Sequence, residues 1–303
     1  MNAQQRADGE PAGRGVNVAA LEVLAAALLF STGGAAIKAT TLDSWQVASF
    51  RSGVAAAALL ALLPAARRNW SPRAVLVGLA YAATMVLYVA GNKLTTAANT
   101  IFLQSTAPLY LLLLGPWLLK EPVRRSDAGL MAVIAAGMSL FFVGEQKPLA
   151  TAPDPFTGNV LSAVSGVTWA LTIAGLRWLE RKEGSGGGMA TVVAGNLIAC
   201  LACLPFALPV ASSRPIDWAV IAYLGIFQIS AAYWFLTRGI GRVPALETSL
   251  LLLAEPAVNP VWAWLVHGER PSRLALIGGS LILAGTLLNA LRGGGGRAGT
   301  ARD

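Results

Sequence analysis

The sequence predicts an all-α integral membrane protein of ten transmembrane helices in two inverted five-helix repeats, and three observations predict it. Of the 303 residues 55% are hydrophobic and 13% charged, with a mean hydropathy of +0.60, whereas soluble domains carry about a quarter charged residues. The apolar residues arrive in blocks of about twenty, the length a helix needs to cross roughly 30 Å of hydrocarbon. The second half of the chain also repeats residues of the first at one constant spacing.

Apolar runs bounded by charges, Pro or Gly clusters place five spans in the first half, at 17–37, 45–64, 73–92, 97–118 and 127–143. The second half gives 157–178, 189–210, 216–238, 244–266 and 272–291. Residues 1–16 read as a disordered polar tail, with the first block retained as a signal anchor. Residues 17–143 form the first repeat, 144–156 an external loop, 157–291 the second repeat and 292–303 a flexible tail.

A net charge of +8 would suit nucleic acid if the bases lined one groove, but they sit in short loops between spans, so the lipid bilayer is the expected partner and nucleic acid is not. With the N-terminus inside, sixteen Lys and Arg fall on the cytoplasmic side, among them Arg67, Arg124 and Arg181, and six on the outside, among them Lys38, Lys93 and Arg273. That bias places both termini in the cytoplasm of a multi-pass inner-membrane protein. Cys200 and Cys203 lie inside an apolar block and read as small packing residues, so neither a disulfide framework nor a zinc site follows.

The fourth and ninth spans overlay without a gap: TAANTIFLQSTAPLYLLLLGPWLLKEPVRR on PALETSLLLLAEPAVNPVWAWLVHGERPSR. Pro108 then falls on Pro256, Thr100 on Thr248, Glu121 on Glu269, Arg125 on Arg273, Gly91 on Gly239 and Gly137 on Gly285. Five spans per copy is an odd number, so the copies enter the membrane from opposite sides. Such inverted repeats characterise secondary transporters, with the substrate site near the midplane between the halves.

From about residue 18 to 291, through FLQSTAPLYLLLLGPWLLKEP, LLLLAEPAVNPVWAWLVHGERP and WQVASFRSG, the sequence resembles the EamA family of the drug/metabolite transporter superfamily. Arg51 matches an arginine that members often carry, and Glu255-Pro256 their usual Glu-Pro. Ala107 at the first-repeat counterpart of Glu255, and Phe30 where a Trp is frequent, depart from the pattern. The resemblance implies a ten-helix carrier that exports amino acids or other metabolites.

Glu255 stands near the middle of the ninth span, where a lone carboxylate is expensive. It is read either as an acid that binds a proton or a substrate ammonium, or as a structural partner of Arg51, the one base inside a span; the second reading predicts an ion pair and leaves proton coupling open. Pro108 and Pro256, at equivalent places, are expected to kink two helices around a shared cavity. Asn99, Gln104, Ser105, Ser249 and Asn259 on the same spans offer hydrogen bonds, or serve as interhelical contacts. Tyr81, Tyr88, Trp169 and Tyr233 are candidate walls for the apolar part of a solute, with packing the alternative and Trp169 the preferred member.

No cofactor is expected, and the glycine runs GSGGG and GGGG lack the Lys-Ser/Thr of a phosphate-binding loop. His267 at a span end and the lack of HExxH argue against an intramembrane enzyme. The expected function is secondary transport of a small neutral or zwitterionic molecule, amino acids first, by alternating access; a multidrug or nucleotide-sugar-like carrier is the alternative. Oligomeric state is left open.

Overall fold

A computed structural model describes residues 12–118, 125–143, 148–184, 187–239 and 242–295. Glu121, Arg124, Lys147 and both extreme tails lie outside them. The described chain is helical almost throughout: α1 Ala12–Ser31, α2 Gly33–Lys38, α3 Ser44–Leu62, α4 Pro72–Leu94, α5 Ala97–Gln104, α6 Ala107–Leu118 and α7 Arg125–Ser139 make up the first repeat. The second holds α8 Pro155–Glu183, α9 Gly187–Ala207, α10 Pro215–Tyr223, α11 Ala232–Gly239, α12 Ala245–Leu252, α13 Ala254–His267 and α14 Arg273–Gly295. Nine helical stretches among the described residues are long and apolar enough to cross a membrane, and Asp127–Ser139 is a shorter apolar tenth.

Helix starts follow from side-chain chemistry. Asp43 accepts from the Gln46 amide while the Gln46 side chain accepts from the Asp43 amide, a reciprocal box that opens α3. Ser71, Thr96 and Asp154 cap α4, α5 and α8, and Pro72 and Pro155 occupy first-turn positions where no N–H is needed. Thr157, donating through hydroxyl and amide, holds the exposed Asp154 carboxyl below its ordinary pKa. Gly268 ends α13 with φ +68, in the left-handed region open to glycine. Two expected edges moved: α1 begins at Ala12, inside the stretch read as a polar tail, and α14 runs on to Gly295.

The packing has the symmetry that an inverted repeat requires. The first span, α1, packs on α11 of the eighth, and the sixth, α8, packs on α4 of the third. The second and seventh spans, α3 and α9, pack on each other, as do the fifth and tenth, α7 and α14. The last pair comes close enough that a Cβ on Gly137 would stand 2.8 Å from the Gly278 carbonyl oxygen, so glycine is required there by approach distance.

The fourth and ninth spans break at equivalent points. The fourth parts into α5 and α6 after Gln104, the ninth into α12 and α13 after Leu252. Helix continuity would need the amides of residues 108 and 256 to bond the carbonyls of Gln104 and Leu252, and both positions are proline, which has no N–H. The outer segments α5 and α13 pack together, while α6 packs on α7 and α8, and α12 on α1 and α14. The two spans thus meet near their outer ends and part toward the side that the loop charges assign to the cytoplasm.

Two further irregularities have no proline. The first span breaks at Thr32, ahead of Gly33 and Gly34, and the eighth carries a π-helical stretch, Leu224–Ala231, between α10 and α11. Such stretches often accompany functional sites.

Candidate substrate site

Tyr81, Tyr88, Trp169, Tyr233 and Glu255, the aromatic and acidic candidates, lie near one another between the two repeats. Tyr81 on α4 is buried, and its ring lies 6.2 Å from that of Tyr233 on α11. Asn196 on α9 donates to the Tyr81 hydroxyl at 3.4 Å. Phe30 at the end of α1 meets Tyr233 edge to face at 5.2 Å. Trp169 on α8 packs against the same apolar group as Met85 and Tyr233, and all three keep part of their surface accessible although they stand deep in the bundle.

Glu255 also keeps accessible surface, one residue into the half-helix α13. It lies near enough to Tyr88 and Tyr233 to act electrostatically on both. Asn259, one turn further along α13 and fully buried, donates to the Tyr88 hydroxyl at 3.5 Å. Tyr88 thus bonds Asn259 and lies within electrostatic reach of Glu255.

The expected ion pair between Arg51 and Glu255 is not formed. Arg51 is 1% exposed and donates through Nη2 to the Met85 carbonyl at 3.0 Å, with the Met85 sulfur at 3.7 Å. Its Nε has no partner, and its charge is felt by Tyr81, Tyr88 and Cys203. Depth along a helix is legible from sequence, but rotation about it is not: α3 turns Arg51 toward α4, where a backbone carbonyl takes the guanidinium.

The remaining candidates divide. Pro256 is buried in the first turn of α13 and Pro108 is half-buried in the first turn of α6. Asn99 bonds Thr95 and the Asn159 carbonyl oxygen, at 3.2 and 3.1 Å, so it stitches the two repeats together near the outer end. Ser105 returns its hydroxyl to the Ile101 carbonyl at 2.7 Å, at the break, and Gln104 ends α5 half-buried. Ser249 is exposed on α12.

Sequence reading passed over the outer closure. Lys38, at the end of α2, forms a salt bridge of 3.1 Å with Glu269, and the two side chains are 2% and 3% exposed. Lys38 also donates to the carbonyls of Thr95, at 2.7 Å, and Thr151, while Glu269 accepts from the Ala97 amide at 3.0 Å. Beside them Lys93 donates to the Thr40 carbonyl at 2.8 Å, and Asp217 accepts from Thr41 and Arg214. Both Lys38 and Glu269 were legible as span-end charges, but nothing in the sequence pairs residues so far apart.

Aromatic and polar side chains thus lie between the two repeats, with a buried ion pair at one end, and comparison with known proteins shows the family. The profile of the EamA-like transporter family matches twice, over residues 17–143 and 156–291. The chain belongs to the EamA-like transporter family. It is similar to YetK, an uncharacterized transporter of Bacillus subtilis (strain 168), at 23% identity over 209 residues, which span 67% of this chain. That match covers 62% of YetK, less than two-thirds of its length. A crystal structure of a protein shares the fold, with a TM-score of 0.61 and 20% identity over 90% of this chain and 96% of that one. This EamA-family chain is therefore a multi-pass transporter whose two halves each carry one copy of the family repeat.

Proposed function

We propose that this EamA-family transporter exports small neutral or zwitterionic metabolites, amino acids foremost, across the inner membrane by alternating access, with both termini in the cytoplasm. The observation that carries the substrate class is a pair of opposite charges inside the bundle that do not pair with each other: the buried Arg51, whose Nε has no hydrogen-bond partner, and Glu255, which forms no ion pair among the described residues. A zwitterion satisfies both at once, its carboxylate on the unpartnered Nε of Arg51 and its ammonium on Glu255. Tyr81, Tyr233, Trp169 and Phe30 would then receive the side chain. The outer end is closed by Lys38 and Glu269 while the fourth and ninth spans part inward, which suits loading from the cytoplasm.

Counterflow in proteoliposomes tests the proposal, with labelled alanine, leucine and phenylalanine competed by nucleosides and by tetraphenylphosphonium. Saturable amino-acid counterflow resistant to nucleosides is expected. Competition by the lipophilic cation without any amino-acid exchange would replace this reading with that of a multidrug carrier.

A further inference from the structure

The break in the first span is flanked by two buried amides that the sequence reading did not bring together. Gln228 lies within the π-helical stretch of the eighth span, and a Cβ on Gly33 would stand 2.9 Å from its Nε2. Asn259 lies on α13, and a Cβ on Gly34 would stand 2.8 Å from its Oδ1. The adjacent glycines thus admit one amide each beside the break at Thr32. Both side chains are more than nine-tenths buried, Gln228 at 7% and Asn259 at 0% exposed.

Their donors are used. The Gln228 Nε2 reaches the Phe30 carbonyl at 3.5 Å and the Asn259 Nδ2 reaches the Tyr88 hydroxyl. Their acceptors are not: Gln228 Oε1 and Asn259 Oδ1 have no hydrogen-bond partner. A buried carbonyl oxygen left without a donor is costly, so two at one helix break mark a place that receives donors. Of the neighbouring hydroxyls, Tyr223 donates to the Thr32 hydroxyl at 2.9 Å, Ser31 accepts from the Trp262 indole at 3.0 Å, and Tyr88 accepts from the Asn259 amide nitrogen. Glu255 stands one helical turn from Asn259 and forms no ion pair among the described residues, which adds a carboxylate to the two carbonyls.

We infer that Gln228 and Asn259, at the Gly33–Gly34 break, form with Glu255 the subsite for the primary ammonium group of the solute. Three acceptors suit the three N–H bonds of R–NH3⁺, and a trimethylated nitrogen, having none, leaves the two amide oxygens unsatisfied. The inference rests on the transport reading above but is narrower than it. Gln228 is here a specificity residue, held at the site by the π-helical stretch, whose wider turn displaces the residues after it relative to a regular helix.

The test is counterflow and competition in proteoliposomes with the full chain, using alanine, its N,N,N-trimethyl derivative and ethylamine, each in potassium and in sodium buffer. Wild type is expected to prefer alanine over the trimethyl derivative by about tenfold or more, the range set by hydrogen bonds to a charged group. Gln228→Met keeps length and removes the acceptor; it should weaken alanine about tenfold, leave the trimethyl derivative unchanged and so erase the preference. Gln228→Glu restores an acceptor and should recover alanine binding, which separates loss of the oxygen from loss of the fold. Equal weakening of both compounds by Gln228→Met, or no weakening, would overturn the subsite. Stabilisation of melting by sodium that Gln228→Met abolishes, with alanine affinity intact, would overturn it in favour of a metal ion. Ethylamine exchanged with Gln228 dependence, and alanine not exchanged at all, would support the subsite and sink the amino-acid reading instead.

Discussion

Lys38 and Glu269 lie 3.1 Å apart with side chains 2% and 3% exposed, so a buried ion pair ties the C-terminal end of the first span to the C-terminal end of the ninth, the end that the loop charges assign to the outside. The pair joins parts of the two repeats that must separate if the site is to open outward. Removing one partner leaves the other charge buried and costs about 3–5 kcal/mol. Lys38→Met and Glu269→Leu should each lower the melting temperature, and the double variant should regain much of the loss. In a background without Cys200 and Cys203, a cysteine replacing the buried Asn92 should react with external thiol reagent faster in Lys38→Met than in the parent. Unchanged labelling would remove the pair from any role in outer closure.

Glu255 and Arg51 are not paired, and this reverses what depth along the two spans suggested. The two should behave as separate sites, so melting losses of Glu255→Gln and Arg51→Met are expected to add within about 0.5 kcal/mol. Glu255→Gln, which neutralises a partly accessible carboxylate, should cost little stability and abolish ammonium-dependent exchange. Recovery of stability in the double variant would restore the ion-pair reading.

Trp169 borders the group around Tyr81 and Tyr233 but keeps part of its surface accessible, so packing does not use the whole ring. Trp169→Ala should raise the apparent KM for an aromatic solute several-fold while costing less than the roughly 3–5 kcal/mol of a fully buried ring. A large melting loss with unaltered KM would assign Trp169 to packing alone.

The loop charges make a separate prediction about orientation. Arg68 is exposed between α3 and α4, and Pro153 is exposed before α8. Cysteines placed there one at a time should differ in intact cells: external reagent should reach position 153 and miss position 68. The reverse pattern would invert the protein in the membrane and the export reading with it.

How much of this was legible in the sequence follows from how each feature is encoded. Spans are encoded in hydropathy, which depends on residue type alone, and the repeat showed because Pro108 and Pro256 survive at matching places. The break at Thr32 and the π-helical stretch have no proline, so neither had a one-dimensional signal. Tyr81, Tyr88, Trp169 and Tyr233 were found as aromatics within spans. Gln228 was not, because a single amide in an apolar run reads as an interhelical contact until the glycines opposite it are in place. The Arg51 guanidinium failed for a related reason, since helix rotation chose the Met85 carbonyl over the carboxylate.

The paired breaks yield the last prediction. Pro108 and Pro256 cannot donate to Gln104 and Leu252, the final residues of α5 and α12, so each break lies where one bond of helix continuity is missing. Alanine at either position supplies that donor and lets the two half-helices fuse. A fused ninth span would redirect α12 from its packing on α1 and α14, on the side where the two spans part. Pro256→Ala should therefore raise or preserve the melting temperature, because alanine favours the helix by about 3 kcal/mol over proline, while slowing exchange at least tenfold with little change in solute affinity. Pro108→Ala should act in the same direction, since the break is symmetric. Unaltered exchange in both variants would mean that the breaks are static features and that the halves move as rigid bodies about other points.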